Sequence, residues 1–79
     1  MSKYILFGTE GCHLCEDAEL LIQNTGMAFT RQDIMDDEQS LQRYAVRIPV
    51  LLHQASRLEL GWPFDEEQLQ EYLLQTQKT

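Results

Sequence analysis

The sequence predicts an α/β fold in the order β-α-β-α-β-β-α, a mixed four-stranded sheet with helices on both faces. Three observations carry that prediction. Short apolar runs of strand length, Tyr4-Ile5-Leu6-Phe7 and Val50-Leu51-Leu52, alternate with segments whose apolar residues recur at helical spacing. Gly8, Gly26, Pro49 and Gly61 fall between these runs and punctuate them. A helical segment separates the first two strands, which implies a right-handed parallel crossover, whereas only a few polar residues separate the last two, which implies a hairpin.

The first run is apolar without alternation and ends at Gly8, followed by Thr9-Glu10-Gly11. That is the pattern of a central strand covered on both faces. From Cys12 the period changes: Leu14, Ala18, Leu21 and Ile22 share one side, with Glu16, Asp17 and Glu19 on the other, and Gly26 stops the helix. Residues 27–34, with Phe29 and Ile34, read as the second strand. Asp36 with Gln39 three positions on has capping-box spacing and opens a short second helix that buries Leu41, Tyr44 and Ala45. Pro49 forces its end and biases Ile48 to an extended conformation. Residues 50–52 form a buried strand, His53-Gln54-Ala55-Ser56 a hairpin connection, and Arg57-Leu58-Glu59-Leu60 an alternating edge strand. Gly61-Trp62-Pro63 breaks it. Asp65 with Gln68 repeats the capping spacing before a last helix carrying Leu69, Tyr72 and Leu73, with residues 75–79 expected to fray.

A chain of 79 residues is expected to form one domain, residues 1–79. Its longest apolar runs fall far short of the roughly 20 residues a membrane helix needs. A lone Lys3 before a four-residue apolar run makes no signal peptide. The expected setting is therefore cytoplasmic, with no membrane partner. The net charge of −7, with its six cations scattered, argues against nucleic acid. The domain is expected to act as a monomer. In a reducing compartment two cysteines three positions apart do not staple a fold; such a pair is catalytic or metal-binding.

Phe7-Gly8-Thr9-Glu10-Gly11-Cys12-His13-Leu14-Cys15 resembles the strand, loop and CxxC-bearing helix of glutaredoxins. Arg47-Ile48-Pro49-Val50 resembles the loop carrying their cis-proline, and Gly61 followed by Asp65-Glu66 resembles the turn before their final helix. The resemblance covers essentially the whole chain and is greatest to short bacterial glutaredoxin-like proteins with a CxLC motif and a Trp-Pro-Phe-Asp segment. It implies a thioredoxin-like fold and a thiol–disulfide oxidoreductase working in cell redox homeostasis on protein or low-molecular-weight disulfides, served by a thiol reductant system. It also implies a cis bond at Ile48–Pro49, leaving the Ile48 backbone to pair with an extended substrate.

The chemistry requires such an arrangement. The attacking species is a thiolate, and a cysteine of ordinary pKa, near 8.5, supplies little of it at neutral pH. At a helix N-terminus Cys12 faces unpaired N–H groups and the positive end of the dipole, which favour its charged form. Cys15, one turn on, resolves the mixed disulfide. His13, if protonated, adds to the stabilisation; otherwise it is a solvent-exposed imidazole. Leu14 reads as core or rim packing and Trp62 as core-edge packing. Arg47 is either an anchor for a substrate carboxylate or a solvated arginine, and the last helix N-terminus near Asp65 offers a second carboxylate site.

Two departures bear on glutathione. Thr9 stands where glutathione-dependent relatives carry a lysine, and Trp62 where they carry a second glycine. Glu10, Glu16 and Asp17 make the surroundings of Cys12 anionic, which opposes both the thiolate and an anionic tripeptide. No bound cofactor is expected, and these departures disfavour glutathione as the reductant. Two other readings use the same residues: a metal or iron–sulfur site through Cys12 and Cys15, with His13 and His53 the other ligand types present, or a non-catalytic interaction module on this fold.

Overall fold

The computed structural model describes residues 3–77. Its sheet has the order β2-β1-β3-β4. Strand β1 (Tyr4–Gly8) pairs in parallel with β2 (Thr30–Asp33) and antiparallel with β3 (Val50–His53), which pairs antiparallel with β4 (Glu59–Gly61). Three helices cover it: α1 (His13–Asn24), α2 (Glu38–Tyr44) and α3 (Glu66–Gln77). No helix among the described residues is long and apolar enough to cross a membrane.

The unbroken hydrophobicity of the central strands follows from the layering. Leu6 and Leu51 face one way, into a core with Ala18 and Ile22 of α1 and Leu69 and Tyr72 of α3. Their neighbours Phe7, Val50 and Leu52 face the other way, into a second core with Ile34 and Tyr44. Side chains alternate along a strand, so only an apolar run can supply both layers. Phe7 stacks on Tyr44, ring centroids 4.3 Å apart, and this fixes α2 against β1.

Several boundaries differ from the sequence reading: β1 runs on to Gly8, His53 belongs to β3 and Gly61 to β4, and four further differences have a visible cause. The second strand is confined to Thr30–Asp33; Met27 and Phe29 pack against the first core from the connection before it. Ile34 leaves the sheet as the first residue of a 3₁₀ turn, Ile34–Asp36, because the Asp33 carboxylate accepts the Met35 N–H at 2.9 Å and bends the chain there. That turn uses up Asp36, so Asp37, not Asp36, caps α2, accepting from both the Ser40 N–H (3.3 Å) and hydroxyl (2.8 Å). The hairpin connection is closed by the Arg57 N–H on the His53 carbonyl with Arg57 at φ 64°, so β4 begins at Glu59 rather than Arg57.

The last helix holds where fraying was expected. Asp65 and Gln68 form the reciprocal capping box, Gln68 N–H to the Asp65 carboxylate at 2.8 Å and Asp65 N–H to the Gln68 side chain at 3.0 Å. At its far end Thr76 is 2% exposed and its hydroxyl is 2.6 Å from that of Tyr4, so residues 75–77 stay helical. Residues 78 and 79 lie outside the described part.

Candidate functional site

The parallel β1–α1–β2 crossover sets the end of β1 against the start of α1. The connection Thr9-Glu10-Gly11 turns through Gly11, whose φ of +80° is open to glycine and strained for most other residues. It delivers Cys12 as the N-cap of α1, in extended conformation, with its sulfur accepting the Cys15 N–H at 3.2 Å. The two cysteines are at disulfide distance, with Cα atoms 5.2 Å apart. Their surroundings differ. Cys12 is half-buried and opens to solvent, whereas Cys15 is 8% exposed and sits against β1. A sulfur at a helix N-cap accepts an N–H and lies at the positive end of the dipole, an influence that weakens along the first turn.

The register then brings Pro49 to the same end of the sheet. Val50 opposes Phe7, so the residue before it lies beside Gly8, the end of β1 that leads to Cys12. Pro49 is fully buried, its bond to Ile48 is cis, and its carbonyl accepts the Trp62 N–H at 3.1 Å. Trp62 is core-edge packing, edge-on to Phe64 at 5.1 Å. The Trp62–Pro63 bond is also cis, which lay outside the sequence reading. One expectation is corrected here: the Ile48 backbone is not wholly open. Its N–H closes the end of α2 on the Tyr44 carbonyl at 3.0 Å, so that donor is already engaged within the chain.

Arg47 is exposed and at the same time engaged. Its guanidinium bonds Glu59 at 2.6 Å, and Glu59 also accepts the Tyr44 hydroxyl at 2.7 Å. Burial alone pushes the Glu59 carboxyl up, but the hydrogen bonds from Arg47 and Tyr44 outweigh it and hold Glu59 below the usual carboxylate range. Burial, then the bond to Glu59, raises the Tyr44 hydroxyl. Sequence reasoning missed Glu59 because it lies on a different element from Arg47, and only the hairpin brings the two together.

His13 projects into solvent, its side chain 96% exposed, with Nδ1 3.5 Å from Glu16. Leu14 is half exposed and belongs to the rim. Asp65 is spent on capping, so the start of α3 already carries a carboxylate of its own. His53 is buried at the opposite end of β1, tilted against Tyr4 at 5.0 Å and bonded through Nδ1 to Ser56 at 2.7 Å. It therefore shares no ligand sphere with Cys12. No group of three or more metal-ligating side chains occurs among the described residues.

An open groove of about 690 Å³ runs from the cysteine turn along α1 to the end of β2. Glu10 and Glu16 line it, as the sequence indicated, while Asp17 does not. Glu19, Asp33 and Asp36 join them, with Arg31 held 3.2 Å from Glu19.

These features match a known family. Residues 3–74 fit the model of the glutaredoxin-like domain (DUF836). The chain belongs to the glutaredoxin-like family. Among solved structures, this glutaredoxin-like chain is similar to protein XcR50 of X. campestris, at 36% identity and TM-score 0.78, covering 91% of this chain and 96% of that one. It is also similar to protein Ne2328 of Nitrosomonas europaea, at 29% identity and TM-score 0.69, covering 90% and 89%. The glutaredoxin of Archaeoglobus fulgidus, at 18% identity and TM-score 0.67 over 92% and 87% of the two chains, shares the fold. None of the curated proteins matches this glutaredoxin-like chain.

Proposed function

We propose that this protein is a dithiol thiol–disulfide oxidoreductase. The observation that carries the reading is the Cys12 sulfur at the N-cap of α1, accepting the Cys15 N–H with Cys15 buried at disulfide distance behind it. The Cys12 thiolate attacks one sulfur of a substrate disulfide, forming a mixed disulfide and releasing the other half as a thiolate. Cys15 then loses its proton to solvent and attacks the Cys12 sulfur, forming the Cys12–Cys15 disulfide and expelling the second substrate thiolate. Two electrons pass to the substrate, and an external thiol reductant returns them. The cis-proline loop supplies the Ile48 carbonyl to an extended substrate chain. The proposed setting is a monomer in the cytoplasm.

Glutathione is disfavoured as that reductant. Thr9 brings no charge to the entrance, Arg47 is bound to Glu59, Asp65 occupies the start of α3, and the groove beside Cys12 is acidic. Losing one charge-assisted hydrogen bond costs roughly 1.5–3 kcal/mol, about tenfold or more in affinity.

The deciding experiment is insulin or small-disulfide reduction by the dithiol protein with Cys12→Ser and Cys15→Ser beside it. Turnover by the wild type, none by Cys12→Ser, and a trapped mixed disulfide on Cys15→Ser are the expected outcomes. Absence of turnover with every thiol reductant would leave the interaction-module reading in its place.

A further inference from the structure

Gly8 lies four residues before Cys12, on the strand rather than in the motif, and its φ does not require glycine. What requires glycine is space. A Cβ at position 8 would stand 3.0 Å from the Cys15 sulfur and 3.2 Å from its Cβ, both tighter than ordinary van der Waals contact, so Cys15 would have to give by a few tenths of an ångström. Gly8 shares a strand face with Leu6, the face that α1 covers, so the missing side chain is the seat into which the first turn of α1 presses Cys15.

We propose that Gly8 is a positioning residue that sets the oxidising strength of the Cys12–Cys15 pair; this rests on the redox reading above. In the disulfide, the Cys15 sulfur is tied to Cys12 and cannot leave the seat. In the dithiol that tie is cut and the sulfur can turn about χ1 away from β1, while the Cβ contact is common to both forms and cancels. A methyl group at position 8 therefore burdens the oxidised form more than the reduced form. The half-reaction is disulfide plus two electrons and two protons giving two thiols, and filling the seat favours the thiol side.

Gly61 is the internal control. It also lies on a strand, with ordinary φ, and an added Cβ there meets nothing within 4 Å. Gly11 is unsuitable as a control because its positive φ strains any substitution.

The test is the equilibrium of the cysteine pair against a defined dithiothreitol couple, read by alkylation and mass for wild type, Gly8→Ala and Gly61→Ala. Gly8→Ala is expected to favour the dithiol form by about tenfold relative to wild type, equivalent to about 30 mV for a two-electron couple. Gly61→Ala is expected to match wild type. An unchanged equilibrium in Gly8→Ala, or an equal shift in Gly61→Ala, overturns the proposal. If Gly8→Ala does not fold, the same substitution is made beside Cys15→Gly, which removes both the sulfur and the Cβ from the seat. Recovery of the fold then supports the contact, and continued failure overturns it. The readout needs no substrate turnover. A wild type inert towards substrates would refute the oxidoreductase reading, and the Gly8 shift would still be measured on its own.

Discussion

Cys12 and Cys15 sit in one turn of chain but in two electrostatic environments, and the difference is measurable. The N-cap sulfur gains an N–H donor and the helix dipole, so iodoacetamide at mildly acidic pH should label Cys12 first in the reduced protein. Preferential labelling of Cys15 would reverse the assignment of attacking and resolving thiols. Thr9 lines the same groove, and Thr9→Lys should raise the rate of reducing a glutathione-mixed disulfide about tenfold; no change would show that charge at this position does not limit glutathione use. Glu59 governs a third effect. Its carboxyl titrates below the ordinary 4.5, so the ionised form stabilises the fold above that pH, and the contribution is lost as pH falls through the lowered value. Glu59→Gln should therefore be less stable than wild type at pH 7 by roughly 1 kcal/mol, Arg47 being partly screened by solvent. The gap should narrow in acid, and a gap constant from pH 7 to pH 3 would exclude the ionised carboxylate as its source.

Among the elements, the capping box of α3 gives the plainest forecast. Asp65→Ala removes the acceptor for the Gln68 N–H and should cost about 1 kcal/mol, read as a lower urea midpoint with an unchanged slope. A neutral result would mean that packing of Leu69 and Tyr72 alone holds the helix. This box was legible in the sequence because both partners lie within one turn. So was β1, whose apolar run has no other use than burial on two faces, and so was the cysteine motif at the strand-to-helix junction. Contacts between elements were not legible. Asp36 and Asp37 have equal claims to cap α2 until the Asp33 side chain bends the chain one residue earlier. Leu58 and Leu60 alternate convincingly, but Arg57 turns left-handed and delays the strand. Arg47 read as a solvated or substrate-binding cation because its partner, Glu59, is reached only through the hairpin. The Ile48 N–H read as open because the sequence does not show that α2 ends by drawing on it.

For the molecule as a whole, charge is the dominant unspent term. The chain carries −7, and five carboxylates gather along one groove with Arg31 among them. Salt shortens the reach of that repulsion from about 10 Å at 0.1 M to about 3 Å at 1 M. The melting temperature should accordingly rise with sodium chloride, by roughly 4–8 °C if about 1 kcal/mol of repulsion is screened. A fall would mean that the Arg31–Glu19 and Arg47–Glu59 pairs outweigh the repulsion. The hydroxyl contact between Tyr4 and Thr76 bears on a different matter. It brings two residues 72 positions apart into touch at the end of β1 remote from the cysteines. A short peptide joining Lys3 to Gln77 would therefore have little distance to span, and new ends could be opened at the exposed Gln54-Ala55 turn. A circular permutant of that design should fold with its thiols still addressable, and a cargo domain attached through Lys3 or Gln77 would join at the end of β1 away from Cys12 and Cys15.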